Sequence, residues 1–402
     1  MKHYDLIIIG AGPVGLATAY HSAKVGLNVI VIEQYKLYNQ LSSSSGATRQ
    51  FRLQYSEEYM SRLCLESLPF WDELQSETNI ELRSEVGSLW FGVSESNSSE
   101  GEIIESMRSM DKLNIQYDKL DHKSIEDNFH FRNLPDDYIG LFQKNGGTIN
   151  VHETINVLKR LCDKTGKIDF AFESEVQKIK TKGTIEVTTL KNRYSSDKLM
   201  IATGPFANRL LNSASQLKFE VWQMVSMYFK RTDFSKDLPS WFAFEKRADS
   251  DPDQGFYYGF EHCNWDNQGY LRVAPAFATD KFKDPSQRQI ENKNDIEYTV
   301  NWVKNRLHFL EPVPSYISTC LASIPDDEKK MYLDFLRDDY GVNKNVVVFS
   351  SGWAFKFVPL LGKICSDLLK DGETKFDISH FGILGEKQFK NFEHKSKRRL
   401  PF

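Results

Sequence analysis

Asp5 to Ile9 is a short apolar run that ends in glycines, and Val29 to Ile32 is a second one. Short apolar runs without alternation predict strands buried on both faces, as in a parallel sheet. Between them, Leu16, Ala19, Tyr20 and Ala23 recur at helical spacing over Gly15 to Val25, and Gly26 closes the helix. Two more runs of this kind lie far downstream. Lys198 to Ala202 is closed by Thr203 and Gly204, and Val346 to Phe349 is followed by Ser350-Ser351-Gly352. Phe170 to Ile179 and Thr184 to Leu190 alternate in the manner of half-exposed strands. Phe219 to Phe277 is rich in aromatics and strand formers, with turn signals such as Asn267-Gln268-Gly269. Glu57 to Gln75 reads as helical, with a break or kink expected at Pro69. Ser42 to Ser45 reads as a loop, Val93 to Glu100 as a surface loop, and the basic tail from Glu386 as solvated.

Buried-strand signals near residues 5, 29, 198 and 346 enclose antiparallel-looking material. This predicts an α/β fold in which a Rossmann-like domain is assembled from discontinuous segments and an α+β domain with a mixed or antiparallel sheet is inserted. The expected divisions are 1–85, 146–215 and 321–385 for the first domain, 86–145 and 216–320 for the second, and 386–402 for the tail.

Composition removes several function classes. The 402 residues include 51 basic and 55 acidic side chains, a net charge of −4, which argues against a strongly basic nucleic-acid binder. The five cysteines contain no C-x-x-C pair, and no two of the nine histidines stand three or four apart. Neither a disulfide framework, a zinc ribbon nor another metal site is expected. The start has Lys2 as its one fixed positive charge, a short apolar run and no cleavage site. No stretch reaches the ~18–20 apolar residues of a spanning helix. The expectation is a cytoplasmic protein, a monomer or weak oligomer, with no membrane or nucleic-acid partner.

Gly10-Ala11-Gly12-Pro13-Val14-Gly15 is a G-x-G-x-x-G set between the first strand and its helix. Gly10 permits a tight turn, Gly12 lets a pyrophosphate approach the backbone, and Gly15 lets helix and strand pack closely. The helix N-terminus offers free N–H groups to phosphates. Glu33, followed by Gln34, ends the second strand, where a carboxylate accepts ribose hydroxyls. An acid there favours FAD or NAD over NADP, because it repels a 2′-phosphate. The late return of the chain to this domain, and a strand ending in Thr203-Gly204, are commoner in FAD proteins of the glutathione-reductase type.

Five further patches follow in order. They are Ser44-Ser45-Gly46-Ala47-Thr48-Arg49 with Arg52; Tyr257-Tyr258-Gly259-Phe260; Thr319-Cys320-Leu321 with Pro325-Asp326; Ser351-Gly352-Trp353-Ala354-Phe355-Lys356-Phe357; and Asp377-Ile378-Ser379 with Phe381. With the fingerprint, they make the chain resemble the monomeric sarcosine oxidase group of flavin amine oxidases, which includes the N-methyltryptophan, pipecolate and fructosyl-amino-acid oxidases. The resemblance implies an FAD-binding domain of glutathione-reductase type, an amino-acid substrate, and reoxidation by O2 to H2O2. It sets Ser44, Ser45, Thr48 and Arg49 beside the flavin, with Val176, Thr203, Gly204, Gly352, Phe355 and Lys356 also at the cofactor. It implies that Arg52 and Lys356 bind the substrate carboxylate, that Tyr258 faces the substrate, and that Cys320 forms a thioether to the flavin 8α carbon. Arg49, Arg272, Lys356 and Tyr258 become the candidate catalytic residues.

The residues alone leave blander readings open. Arg49 and Arg52, three apart, would share a face on a helix as a solvated pair. Lys356, among aromatics, is either a snorkelling lysine or a functional buried cation. Tyr258 could pack within a sheet. Cys320 could be a small buried apolar residue, which is the reading for Cys64, Cys162, Cys263 and Cys365.

Three departures from the family bear on the substrate. Arg272, in Leu271-Arg272-Val273-Ala274, stands where the group usually has a lysine that helps activate dioxygen. Trp353 stands where it has a histidine, and Ser44, Ser45 and Ala276 stand where sarcosine oxidases tend to carry histidines. A flat or cyclic substrate that stacks on Trp353 is therefore expected rather than sarcosine. The expected activity is FAD-dependent oxidation of a secondary or cyclic amino acid to an imine. A dehydrogenase with another electron acceptor, and a flavin-binding protein without turnover, are the alternatives.

Overall fold

The structure, a computed structural model, describes residues 1–383 apart from 97–99, 247–254, 261–262, 267–268, 290–291, 326–329 and 339–340. Asn267 and Gln268 of the expected turn, Asp326 and the basic tail 386–402 lie outside the described residues.

Strand β1 (Lys2–Ile9), helix α1 (Pro13–Lys24) and strand β2 (Val29–Ile32) form the expected unit. β1 lies between β2 and Arg193–Ile201, parallel to both, and Arg193–Ile201 pairs in parallel with Gly341–Ser350. The four separated apolar runs thus become neighbours. All four residues of β2 are buried, as a run without alternation requires. Ile168–Ala171 extends this sheet beyond β2, and Val176–Lys180 and Ile185–Thr189 add antiparallel strands at its other side. The expected strand Phe170 to Ile179 is thus two strands, because the chain turns between Ala171 and Val176. α1 packs on helices Val151–Lys164 and Val358–Asp371. The Ala202 N–H donates to the Ile9 carbonyl, so the glycine turn after β1 sits beside Thr203-Gly204 at the carboxyl ends of the strands. Open α/β sheets bind ligands there.

The second sheet is mixed. Ser240–Phe244 runs parallel to Ser88–Gly92, while the other pairs are antiparallel. Leu310–Pro325 pairs with Phe219–Arg231 from Phe219↔Pro325 to Arg231↔Leu310. A domain division at residue 320 therefore cuts one continuous ladder, and 321–325 stays with the second sheet. Strand pleating divides Tyr257 from Tyr258. Tyr257 stacks on Trp302 of helix Lys293–Arg306 at 5.0 Å, and Tyr258 lines a cavity. Glu245 locks the helix side by accepting from Trp302 Nε1 (2.7 Å), Arg306 Nε (2.8 Å) and Arg306 Nη2 (2.7 Å).

Two local expectations are corrected. Arg49 and Arg52 do not share a helix face, because Thr48–Phe51 is a strand paired with Gly147–Asn150. Helix Glu58–Thr78 continues through Pro69, so the chain does not break there. Proline removes one donor there, but Trp71 is fully buried and its Nε1 donates to the Lys356 carbonyl at 2.8 Å, so packing holds the helix.

Candidate active site

A cavity of about 290 Å³ joins the two sheets. One end is built by the glycine turn. Gly10 has φ +107°, and a Cβ there would lie 2.5 Å from the Ala202 carbonyl oxygen; a Cβ on Gly15 would lie 2.1 Å from the Gly10 oxygen. Both positions require glycine. Gly12 differs, since a Cβ would meet no protein atom within 4 Å, and Gly12 lines the cavity. It is the N-cap of α1, and no side chain caps the helix. The open face and the free N–H groups suit a pyrophosphate. Pro13, Val14, Gln34, Val176, Thr203 and Gly204 line the same end. Glu33 is anchored there by the Ala11 and Tyr35 N–H groups, each at 2.9 Å. Burial raises its pKa, and the backbone donors oppose the rise. These residues fit the adenosine and pyrophosphate of FAD.

The cavity continues to Cys320, which is partly exposed and unpaired. The half-buried Arg49 guanidinium donates to the carbonyls of Thr48 (2.7 Å), Ser43 (2.6 Å) and Ser45 (2.7 Å). Burial, then the nearby Arg272 charge, lowers its pKa, against the pull of Cys320. Arg272 donates to the Thr48 carbonyl and hydroxyl, both at 2.9 Å, and to Ser226 Oγ at 2.8 Å. It also stacks over Phe260 at 4.7 Å. Ser44, Arg49 and Arg272 line the cavity, whereas Ser45 and Thr48 stand behind its wall as partners of Thr319 and Arg272.

Arg52, Lys356, Tyr258 and Trp353 line the cavity together, with Gly352, Phe355 and Ala276 beside them. Arg52 is 2% exposed and is caged by the rings of Trp90 (4.7 Å), Tyr55 (5.0 Å) and Phe242 (5.8 Å). Its Nη2 is paired with the Glu100 carboxylate, and its Nε has no partner among the described residues. Glu100 also accepts from Trp353 Nε1 at 2.9 Å. Burial opposes ionisation of Glu100, but Arg52 and Lys356 outweigh it and hold the carboxyl down at about 2. Lys356 is 7% exposed; burial, then repulsion from Arg52, brings its ammonium down to about 7 against the pull of Glu100. It is a buried cation, not a snorkelling one.

Glu100 corrects the expectation of a surface loop from Val93 to Glu100. A run of Ser, Glu and Asn carries no sign that its last carboxylate turns inward to two cations. Lys330, paired with Glu57 at 3.0 Å, lies 5.4 Å from the Trp353 ring and supports its outer side.

The model of the FAD dependent oxidoreductase (DAO) family matches residues 5–368. The chain belongs to that family. It is 33% identical to a putative bifunctional amine oxidase of Dictyostelium discoideum over 94% of this chain, which spans only 37% of that protein. It is 25% identical to the monomeric sarcosine oxidase of Bacillus sp. (strain B-0618), covering 95% of this chain and 96% of that one. Among solved structures, the open form of NikD, an unusual amino acid oxidase essential for nikkomycin biosynthesis, superposes with a TM-score of 0.88 at 36% identity. That match covers 95% of this chain and 98% of NikD. The fold and the family expected from the motif patches are therefore confirmed, and FAD is the cofactor of the family.

Proposed function

We propose that this FAD-dependent oxidoreductase is an amine oxidase that converts a secondary or cyclic amino acid to its imine, with O2 as the electron acceptor and H2O2 as product. One observation carries the reading: Arg52 and Lys356, both buried, meet at the cavity that also holds Cys320 and the Gly12 face. Glu100 offsets one of these two desolvated cations, and the positive charge left over is costly unless a second anion arrives. A substrate carboxylate is that anion, and Arg52 is suited to it through paired donors. Bound FAD supplies a hydride acceptor at its ring. Arg52 and Lys356 would hold the carboxylate and so fix the position of the carbon beside nitrogen. The same cations disfavour a protonated amine, so they favour the neutral amine that hydride loss requires. Tyr258, stacked with Phe242 at 6.1 Å, and Trp353 form apolar walls suited to a flat ring.

Ala276 lines the cavity with a methyl group, which leaves room for a ring. Arg272 keeps a positive charge where dioxygen would gain negative charge. We assign Cys320 as the covalent attachment point of the flavin, since it lines the cavity within electrostatic reach of Arg49 and Arg272. A cytoplasmic setting agrees with five cysteines that form no disulfide. Among the described residues no helix is long and apolar enough to cross a membrane.

The deciding experiment is an anaerobic screen of amino acids and cyclic imino acids for loss of flavin colour, followed by aeration and a peroxide assay. Bleaching by a cyclic imino acid and peroxide on aeration support the reading. Bleaching only by amines that lack a carboxylate sinks the substrate assignment, and dye reduction without peroxide sinks the assignment of O2.

A further inference from the structure

Arg288 is a cation that the sequence motifs do not single out. It follows the short turn Pro285–Gln287, whose Asp284 is held by Arg209 at 2.7 Å. Its Nη1 donates to the Gln40 carbonyl at 2.7 Å, and its Nη2 donates to the Thr319 carbonyl at 2.9 Å and to the Thr319 hydroxyl. The guanidinium therefore ties the residue before Cys320 to the loop that carries Ser42 to Ser45. Ser45 Oγ donates to the same Thr319 carbonyl at 3.3 Å, and Arg49 holds the other side of that loop through Ser43 and Ser45. Among the described residues, the hydrogen-bond partners of Arg288 and of Arg49 are neutral oxygens and neither guanidinium pairs with a carboxylate. Cys320 is within electrostatic reach of both.

We propose that Arg288 is a positioning residue for covalent flavin attachment: it clamps the Thr319-Cys320 segment to the 40–45 loop and supplies positive charge as the sulfur attacks. The inference rests on Cys320 being the attachment point. Thioether formation removes one proton from the thiol and one from the flavin 8-methyl group, forms the C–S bond, and leaves two electrons and two protons on the ring. Dioxygen is the oxidant; it takes both and leaves as H2O2. Negative charge develops on sulfur before the bond forms, and a preorganised cation favours that stage without reorganising.

The test uses full-length protein produced under riboflavin starvation and reconstituted with FAD. Covalent incorporation is followed as fluorescence of the denatured band on a gel, and non-covalent FAD binding is measured separately. Wild type is expected to acquire the fluorescent band. Arg288→Gln is expected to bind FAD yet attach it at least about tenfold more slowly, and Arg288→Lys to recover most of the rate. Rescue by lysine separates charge from simple packing. Attachment by Arg288→Gln at the wild-type rate overturns the inference and leaves Cys320 standing. Wild-type flavin that never attaches overturns the Cys320 reading and this inference with it. If Arg288→Gln does not fold, Thr319→Val decides: it removes the hydroxyl partner and keeps the guanidinium. A loss of about threefold supports the clamp, and an unchanged rate overturns it.

Discussion

Glu100→Gln tests the charge arrangement of the cavity most directly. The Glu100 carboxylate is 16% exposed, pairs with Arg52, and is held at about 2 instead of 4.5. At 1.36 kcal/mol per pH unit, that depression corresponds to about 3 kcal/mol of preference for the ionised form in the folded protein. Because the folded pKa is depressed, this stability is present above pH 4.5 and is lost as pH falls toward 2. The variant should therefore be less stable than wild type by about 3 kcal/mol at pH 7, and the gap should shrink to about 1 kcal/mol near pH 3. Urea denaturation at both pH values measures this. Glutamine is chosen because its carbonyl still accepts from Trp353 Nε1, so the indole keeps its partner.

Ligand binding should change in the opposite sense. In wild type a ligand carboxylate competes with Glu100 for Arg52, or lies beside it and is repelled. Removing that charge should tighten binding of benzoate, a carboxylate with no amine, by at least about tenfold, or 1.4 kcal/mol. Titration followed by the flavin spectrum reads the dissociation constant. Benzoate affinity within about twofold of wild type, with flavin bound normally, would refute the competition. Arg52 would then not be the carboxylate anchor.

The remaining predictions concern Lys356, Trp353 and Arg272. Lys356 is charged below about 7 and neutral above, so benzoate affinity should be level below that pH and fall as pH rises through it; in Lys356→Met the affinity should be weak and independent of pH over that range. Trp353→Ala should lower the kcat/KM preference for a cyclic imino acid over sarcosine by about tenfold while FAD stays bound, and an unchanged ratio removes stacking from the account. Arg272→Met should slow flavin reoxidation by O2 more than anaerobic reduction by substrate, as stopped-flow traces of the two half-reactions would reveal; equal slowing assigns Arg272 to substrate binding.

The parts of this molecule that were legible in its sequence are those encoded locally. The parallel strands announce themselves because each is an uninterrupted apolar run, whereas their order in the sheet is set by long-range pairing that no single run encodes. Gly10 and Gly15 are readable because steric contact forbids any side chain there. Glu100 was not readable, because its ionisation is favoured by Arg52, 48 residues away, and by Lys356, farther still. Arg288 was hidden for a similar reason, since its partners Gln40 and Thr319 come from two other segments. The helical reading of Arg49 and Arg52 failed because their spacing fits a helix equally well, and only pairing with Gly147–Asn150 selects the strand. Pro69 shows the converse, a strong local signal outvoted by the burial of Trp71.

The cavity's cations differ in what neutralises them, and this separates their chemistry. Among the described residues Arg49 and Arg272 donate to carbonyl and hydroxyl oxygens and not to a carboxylate, so their positions are fixed while their charges stay available. Such groups suit negative charge that appears during reaction, because they need not reorganise to meet it. Arg52 is matched to a carboxylate before any ligand arrives, and Lys356 loses its proton near neutrality. These groups suit an anion that comes and goes, since Glu100 offsets one of the two cations and leaves the other charge for a ligand. With Glu100 ionised and Lys356 protonated, Arg52, Lys356 and Glu100 together carry one positive charge. A ligand with one carboxylate and a neutral amine brings that end of the cavity to zero, whereas a dicarboxylate would leave an unpaired negative charge beside Glu100. The cavity should therefore reject a second carboxylate on the ring side. A monocarboxylic imino acid and its dicarboxylic analogue, compared by kcat/KM in wild type and in Glu100→Gln, expose that selection: the analogue should be poor in wild type and recover in the variant, and equal use by wild type would contradict the charge balance.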